Sequence, residues 1–298
     1  MTLAKYELID AEKATHRIVR MCRWLQVSTL RGEPPYYEWR DRPASATAQR
    51  REHLKTLITS IFTGSHQTYG YRRVHAALTR AGQECSPELV RALMRRLGLL
   101  PIQQRAFRPT TTEQGNFRGI PDLVRRDFTA PRPGVKLVGD ITYIHTQEGF
   151  AYLATVIDCH SKAVIGWAMA EHYRTEPVKD ALRKALGTGL VEPEAVSHTD
   201  RGSNYTSDAS GRFCADRQIR RSAGRTGVCH DNAMAESFFA ALKTEWLDQA
   251  VFTTRAKARQ QVIRYIEGFY NRQRLHSALG YRTPLEALTE HYSHPRAA

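Results

Sequence analysis

Three consecutive segments, LVGDITYIHT (137–146), FAYLATVIDC (150–159) and SKAVIGWAMA (161–170), are rich in β-branched and aromatic residues and are separated by turn-forming ones. This run constrains the fold more than any other feature of the chain, because it implies a meander of three strands. A helical pattern follows over 176–186, with Thr175 as its cap and Gly187 as its stop. AVSHTD (195–200) reads as a short strand ending at Asp200, and helical spacing returns near 207–218, 231–246 and 256–270. Strands first, then alternating helices and strand, give an α/β domain with a mixed sheet.

The part before this domain has a different texture. Residues 11–25 place Ile18, Met21, Cys22 and Leu25 on one stripe of a basic amphipathic helix, with Arg17, Arg20 and Arg23 elsewhere around it. RGEPPYYEWRDRPAS (31–45), with three prolines, breaks the period and reads as an arm. Helical pattern resumes over 48–62 and 71–80. A third helix is marked by Ser86 as cap, Pro87 in its first turn, Glu88 against the dipole and Gly98 as its end. Its apolar face is Val90, Leu93, Met94 and Leu97, which leaves Arg91, Arg95 and Arg96 for another surface. Three short helices ending in an arginine-bearing one fit a helix-turn-helix-type module, and they fit a small bundle with solvated arginines equally well. Residues 101–134, rich in Pro, Thr, Gly and Arg, mark the boundary.

Composition narrows the function. The net charge is +14, concentrated before residue 131, which suits a polyanionic partner but also a merely solvated basic face. No apolar run approaches the ~18 residues needed to span a bilayer, and the N-terminus lacks a basic segment followed by an apolar one, so a cytoplasmic protein is expected. Cys22, Cys85, Cys159, Cys214 and Cys229 form no CxxC pair and read as reduced thiols; Cys229-His230 lacks a partner pair at zinc spacing.

Three acids stand out. Asp140 lies within an apolar strand, where a carboxylate is costly unless it is paired or binds a cation. Asp200 sits where a short strand turns through Arg201-Gly202-Ser203, and Glu236 lies on a helix among small residues. One acid on a strand, one at the end of a neighbouring strand and one on a covering helix can converge. Such a trio suits magnesium or manganese, two of which would serve in-line displacement at phosphorus. Taken singly, each acid also has an ordinary reading: a hydrogen-bonded strand Asp, a turn residue, a solvated helix position. Lys243, seven residues after Glu236, shares its helix face and can hold a phosphate; Asn232, one turn before, can orient the carboxylate. No GxxxxGK[ST] or HExxH motif occurs. A Ser/His/Asp set can be assembled from His198, Asp200 and Ser203, but residues so close in sequence need not meet in space.

The strings YGYRRV (69–74), DITYI (140–144), YLATVIDCHSKAVIGW (152–167), HTDRGSNY (198–205), DNAMAESFFAALKTE (231–245) and YNRQRLHSALGYRTP (270–284) together resemble the second-reading-frame transposase of the insertion-sequence-three family. These are bacterial mobile elements with a retroviral-integrase-type core. KYELIDAEK and MCRWLQVS extend the resemblance to the N-terminus. Leu137, Thr199, Asn204 and His230 depart from the expected pattern, and none of them is one of the three acids.

The resemblance implies that Asp140, Asp200 and Glu236 are the catalytic and metal-binding DDE triad of a ribonuclease-H-like core. Thirty-five residues lie between the last two, the family's own spacing. It also implies magnesium or manganese, two ions, as cofactor, and transposition of an insertion sequence by DNA cleavage and strand transfer. Expected DNA contacts are Lys243, Arg91, Arg95, Arg96, Arg72, Arg73, Arg201, Tyr205 and Asn232, with the YNRQRLH arginines as weaker candidates. Expected partners are the DNA of the element ends and target, further copies of the chain on DNA, and a product of an upstream frame that supplies end recognition and dimerisation.

The expected organisation is a basic helix and arm over 1–45, a helix-turn-helix-like domain over 46–110, and a linker over 111–133. An integrase-type core with C-terminal helices follows over 134–292, then a tail over 293–298. The rival readings are a non-catalytic DNA-binding regulator whose core no longer turns over and, among enzymes, a ribonuclease or junction resolvase.

Overall fold

The computed structural model describes residues 2–27, 35–102, 119–224 and 231–293. Two compact units emerge, Met1–Leu57 and Ile58–Ala298.

In the first unit, α1 (Thr2–Glu12), α2 (Ile18–Trp24) and α3 (Pro35–Asp41) surround a small core of Ile9, Met21, Cys22, Val27 and Tyr36. The single helix expected over 11–25 is two helices: α1 ends at Glu12, a turn follows, and Arg17, in an extended conformation, caps α2. Part of the expected proline-rich arm is helical as well. Pro35 opens α3, where its missing N–H costs nothing, and Tyr36 is fully buried with its hydroxyl donating to Asp10 at 2.7 Å. The aromatic side chains supplied the period that the prolines concealed.

Helix α4 (Ala46–Gly64) leads to α5 (Tyr71–Arg80) and α6 (Pro87–Arg96). Ser86 caps α6 through Leu89 N–H at 3.2 Å, as its sequence requires, and Val90, Leu93 and Met94 face inward.

The second unit is built on a five-stranded mixed sheet in the order β3-β2-β1-β4-β5. Strands β1 (Lys136–Thr146), β2 (Gly149–Asp158) and β3 (Val164–Ala170) form the expected antiparallel meander. Helix α7 (Thr175–Gly187) returns the chain across the sheet. Its cap residue is Arg174, not the expected Thr175, whose hydroxyl instead meets that of Ser207 at 3.2 Å. Strand β4 (Val196–Thr199) then pairs parallel with β1, and β5 (Arg220–Ala223), too short and polar to stand out in the sequence, pairs parallel with β4. Between them lie α8 (Ser203–Thr206) and α9 (Asp208–Ala215).

The core under α7 joins Ala154, Val156, Ile165 and Ala168 of the sheet to Val178, Ala181, Leu182 and Ala185 of the helix. Helix α10 (Ala233–Glu245) covers β1, and α11 (Arg255–Ile263) continues into a π-helical turn, Arg264–Tyr270, that directs Tyr265, Ile266, Phe269 and Tyr270 inward. Helix α12 (Pro284–Ser293) closes the described chain.

The expected linker is only partly described. Its described end is laid along the core: Ala223 N–H donates to Pro121 O at 3.1 Å, and Leu123 N–H to Ser222 Oγ at 2.9 Å. Among the described residues, no helix is long and apolar enough to cross a membrane.

Candidate active site

The parallel pairing of β1 with β4 stops at Val138–His198. Beyond that point the two strands no longer share a ladder, and the sheet opens at the C-terminal end of β4, a common location for ligand sites in sheets with parallel strands. Asp140 lies on β1 two residues past the last pair. Asp200 follows the last residue of β4, and its Oδ1 accepts Gly202 N–H at 3.0 Å. The topology therefore sets both acids at one opening.

Helix α10 brings the third. Its cap residue Asn232 is buried and donates from Nδ2 to Gly139 O at 3.2 Å, which fixes the start of the helix on β1 directly before Asp140. Glu236 then sits in the first turn of α10, exposed and close enough to act electrostatically on Asp140. Burial, then the Asp200 charge, then that of Glu236 hold the Asp140 carboxyl well above the usual aspartate range, against the Ile141 N–H bond of 2.7 Å. Burial also raises Asp200, opposed by Gly202 N–H.

Lys243 lies over the Tyr143 ring at 4.9 Å. Burial lowers its pKa, while the charges of Asp248 and Asp140 oppose the change. Acids brought together this way favour a bound cation or a proton. The donor set is carboxylate oxygen, which fits a hard divalent ion. Among the described residues, no three His, Cys, Asp or Glu side chains are closed around one point as a ready-made metal cage.

Several expected DNA contacts are turned inward. Asn232 holds β1 rather than presenting its amide to the opening. Tyr205 is buried beneath the two aspartates, and burial followed by the Asp140 and Asp200 charges pushes its hydroxyl pKa well up. Arg201 donates from Nε to Gly224 O at 2.6 Å, tying the Asp200 turn to the end of β5. Arg73 donates to Leu275 O at 3.0 Å, and burial lowers its pKa. Of the YNRQRLH arginines, Arg274 is buried in a bidentate pair with Glu245, at 2.6 and 2.7 Å. Arg72, Arg91, Arg95 and Arg96 are exposed. A short backbone carbonyl or a buried acid captures a guanidinium as readily as a phosphate does, and sequence pattern does not distinguish these fates.

The Ser/His/Asp alternative fails on geometry. Nε2 of His198 faces Asp231 O at 2.8 Å, so it carries the proton, and Nδ1 meets Ser222 Oγ at 2.8 Å. Both ring nitrogens are used, burial lowers its pKa, and the imidazole is a neutral strut between β4, β5 and Asp231. Cys22, Cys85, Cys159 and Cys214 are free thiols, whereas the Cys229-His230 pair lies outside the described residues.

A five-stranded mixed sheet with acids at the β1–β4 opening and a third on the covering helix defines an integrase-type core. In agreement, the chain matches the Integrase core domain family over residues 130–229 and again over 217–284, and the HTH-like domain family over 49–107. It is 36% identical over 282 residues to the transposase InsF for insertion sequence IS3A of Escherichia coli (strain K12), covering 94% of this chain and 96% of that one. It is 35% identical over 243 residues to the transposase for insertion sequence element IS904 of Lactococcus lactis subsp. lactis (strain IL1403), covering 82% and 96%. The chain belongs to the IS3-family transposases. Among solved structures, it is similar to the HTLV-2 integrase catalytic core domain in complex with magnesium, with 17% identity, a TM-score of 0.41, and coverage of 53% of this chain and 98% of that one.

Proposed function

We propose that Asp140, Asp200 and Glu236 are the catalytic carboxylates with which this transposase cleaves DNA at the ends of its element and transfers the strands. The observation that carries this reading is the meeting of Asp140 and Asp200 where the β1–β4 ladder ends, with Glu236 delivered to Asp140 by α10.

The three carboxylates would hold magnesium or manganese, two ions in all, which when bound polarise the scissile phosphate and stabilise the attacking and leaving oxygens. The protein's own work is positioning and charge. Asn232 fixes the α10 start on Gly139, so Glu236 keeps its distance from Asp140. Gly202 N–H orients Asp200. The Lys243 ammonium, on the side of Asp140, contacts a DNA phosphate beside the reacting end. The attacking group is a water or a DNA 3′-hydroxyl, and no covalent enzyme intermediate forms. On this reading the chain acts as an oligomer on DNA together with its upstream-frame product.

Outward-facing amplification across the gene tests the assignment in cells that express the upstream frame together with either the wild-type chain or Glu236→Gln. The expected outcome is a junction product with wild type and none with Glu236→Gln. A junction at equal yield from both would remove Glu236 from the chemistry.

A further inference from the structure

Beside the acids, the outer end of the β1–β2 hairpin carries aromatic rings that the core does not use. The register pairs Tyr143 with Tyr152 and His145 with Phe150, so these four side chains share one face. Tyr173 joins them from the segment between β3 and α7. The rings form a continuous strip: Tyr143 to Phe150 at 5.1 Å, His145 to Phe150 at 4.9 Å, Phe150 to Tyr152 at 6.4 Å and Tyr152 to Tyr173 at 5.6 Å between centroids. Helix α7 packs on the sheet through Val178, Ala181, Leu182 and Ala185, beyond Tyr173 in the chain, and leaves this end uncovered. Tyr143, Phe150 and Tyr173 remain 56%, 43% and 47% exposed.

One end of the strip lies near the catalytic acids and the other meets Lys243. Lys243 lies over Tyr143, and Tyr173 is close enough for the Asp200 and Asp140 charges to add to burial in raising its hydroxyl to about 12. The flanking charges are mixed: Glu148, which accepts the Arg255 backbone N–H at 2.9 Å, is acidic, and two arginines border the strip. Arg174 is exposed next to Tyr173, and Arg255, which donates to Phe150 O at 3.2 Å, pairs with Glu171 at 3.2 Å. Adjacent exposed rings with arginines nearby are the elements of a platform for single-stranded nucleic acid, since every nucleotide has a base face to stack and a phosphate to neutralise.

We infer that the Tyr143–Phe150–Tyr152–Tyr173 strip is a stacking subsite for unpaired nucleotides of the DNA next to the scissile phosphodiester. The inference rests on the reading that Asp140, Asp200 and Glu236 hold the reacting DNA end. Bases within a duplex are stacked on each other and offer no free face, so the strip selects DNA that is frayed or flanked by a single strand at the point of reaction. The energy released by stacking offsets the cost of opening the last base pairs.

The test uses the full chain and two DNAs, a blunt duplex and the same duplex ending in a few unpaired nucleotides, one of them 2-aminopurine. Wild type should bind the frayed DNA roughly tenfold more tightly per stacked base and change the 2-aminopurine fluorescence. Phe150→Ala and Tyr173→Ala, both at exposed positions, should remove that preference and leave affinity for the blunt duplex unchanged, whereas Phe150→Trp should keep it. Equal affinity of wild type for the two DNAs, or equal weakening on both in the alanine variants, would overturn the inference. So would a change of solution mass in those variants, which would make the strip an interface between copies of the chain. Asp140→Asn separates the two readings. It should abolish cleavage and keep the frayed-end preference, and a variant that still cleaves would refute the catalytic assignment without touching the stacking result.

Discussion

At Asp140 a carboxyl sits on β1 between the apolar residues Leu137, Val138 and Ile141, with Asp200 beside it, and both are held above the ordinary range. An acid whose folded pKa is raised binds its proton more tightly in the native state than in the unfolded one. Its penalty is absent below the unfolded pKa and grows as pH rises through the folded value. Without divalent metal at pH 7, Asp140→Asn should therefore raise the melting temperature by several degrees, and the gain should vanish near pH 3. Magnesium should stabilise wild type and have little effect on the variant. Thermal unfolding at the two pH values, with and without magnesium, checks both signs, and a variant less stable than wild type at pH 7 would mean that the site is not strained by its charge. Asp140 and Asp200 stood out in the sequence because polar residues in apolar strands and at strand ends are conspicuous, whereas Glu236, on a helix, was joined to them by the spacing that the family resemblance implies. The inward fates of Arg73, Arg201, Tyr205 and Asn232 were not legible there, because a carbonyl partner leaves no mark in the sequence of the residue that finds it.

Among the elements, α7 lies close against β3 at Gly166. A Cβ there would lie 2.3 Å from Ala181 O and 2.7 Å from Ala185 N, both backbone atoms of the helix that cannot yield singly. Gly166→Ala should cost about 1–3 kcal/mol or more through overpacking. Urea unfolding should show this as a lower midpoint with little change in slope, and an unchanged midpoint would mean that α7 lifts freely from β3. The meander and α6 were readable because strand alternation and caps are local signals. Strand β5 and the split between α1 and α2 were not. Four residues carry no usable period, and the turn after Glu12, with Arg17 extended ahead of α2, carries no Gly or Pro to announce it.

Across the second unit, α5 is joined to the C-terminal segment. The Tyr69 hydroxyl donates to Gln273 O and accepts from Leu275 N–H, each at 2.8 Å, Arg73 holds Leu275 O, and Arg80 pairs with Glu286. Glu245, at the end of the helix that carries Glu236 and Lys243, is bound by Arg274, whose charge the two bonds sustain against burial. The motif YNRQRLHSALGYRTP thus ties α5 to the end of α10. Helix α6 keeps Arg91, Arg95 and Arg96 exposed, with Arg91 5.8 Å from the Tyr71 ring. Replacing all three with alanine should weaken DNA binding and flatten the dependence of affinity on salt by about 0.9 in logarithmic slope for each phosphate that the protein no longer neutralises. Titrations at several salt concentrations read this directly, and an unaltered slope would mean that other cations neutralise the phosphates.

By itself the sequence determined the antiparallel meander, the helices around it and the basic N-terminal part. Each of these rests on period, composition or spacing along the chain. Tertiary structure decided which arginines face outward, where β4 and β5 join the sheet, and that the ladder ends just before Asp140. Those outcomes depend on backbone carbonyls, orphan N–H groups and close helix–sheet approaches between residues far apart in the chain, and such partners exist only once the sheet is assembled.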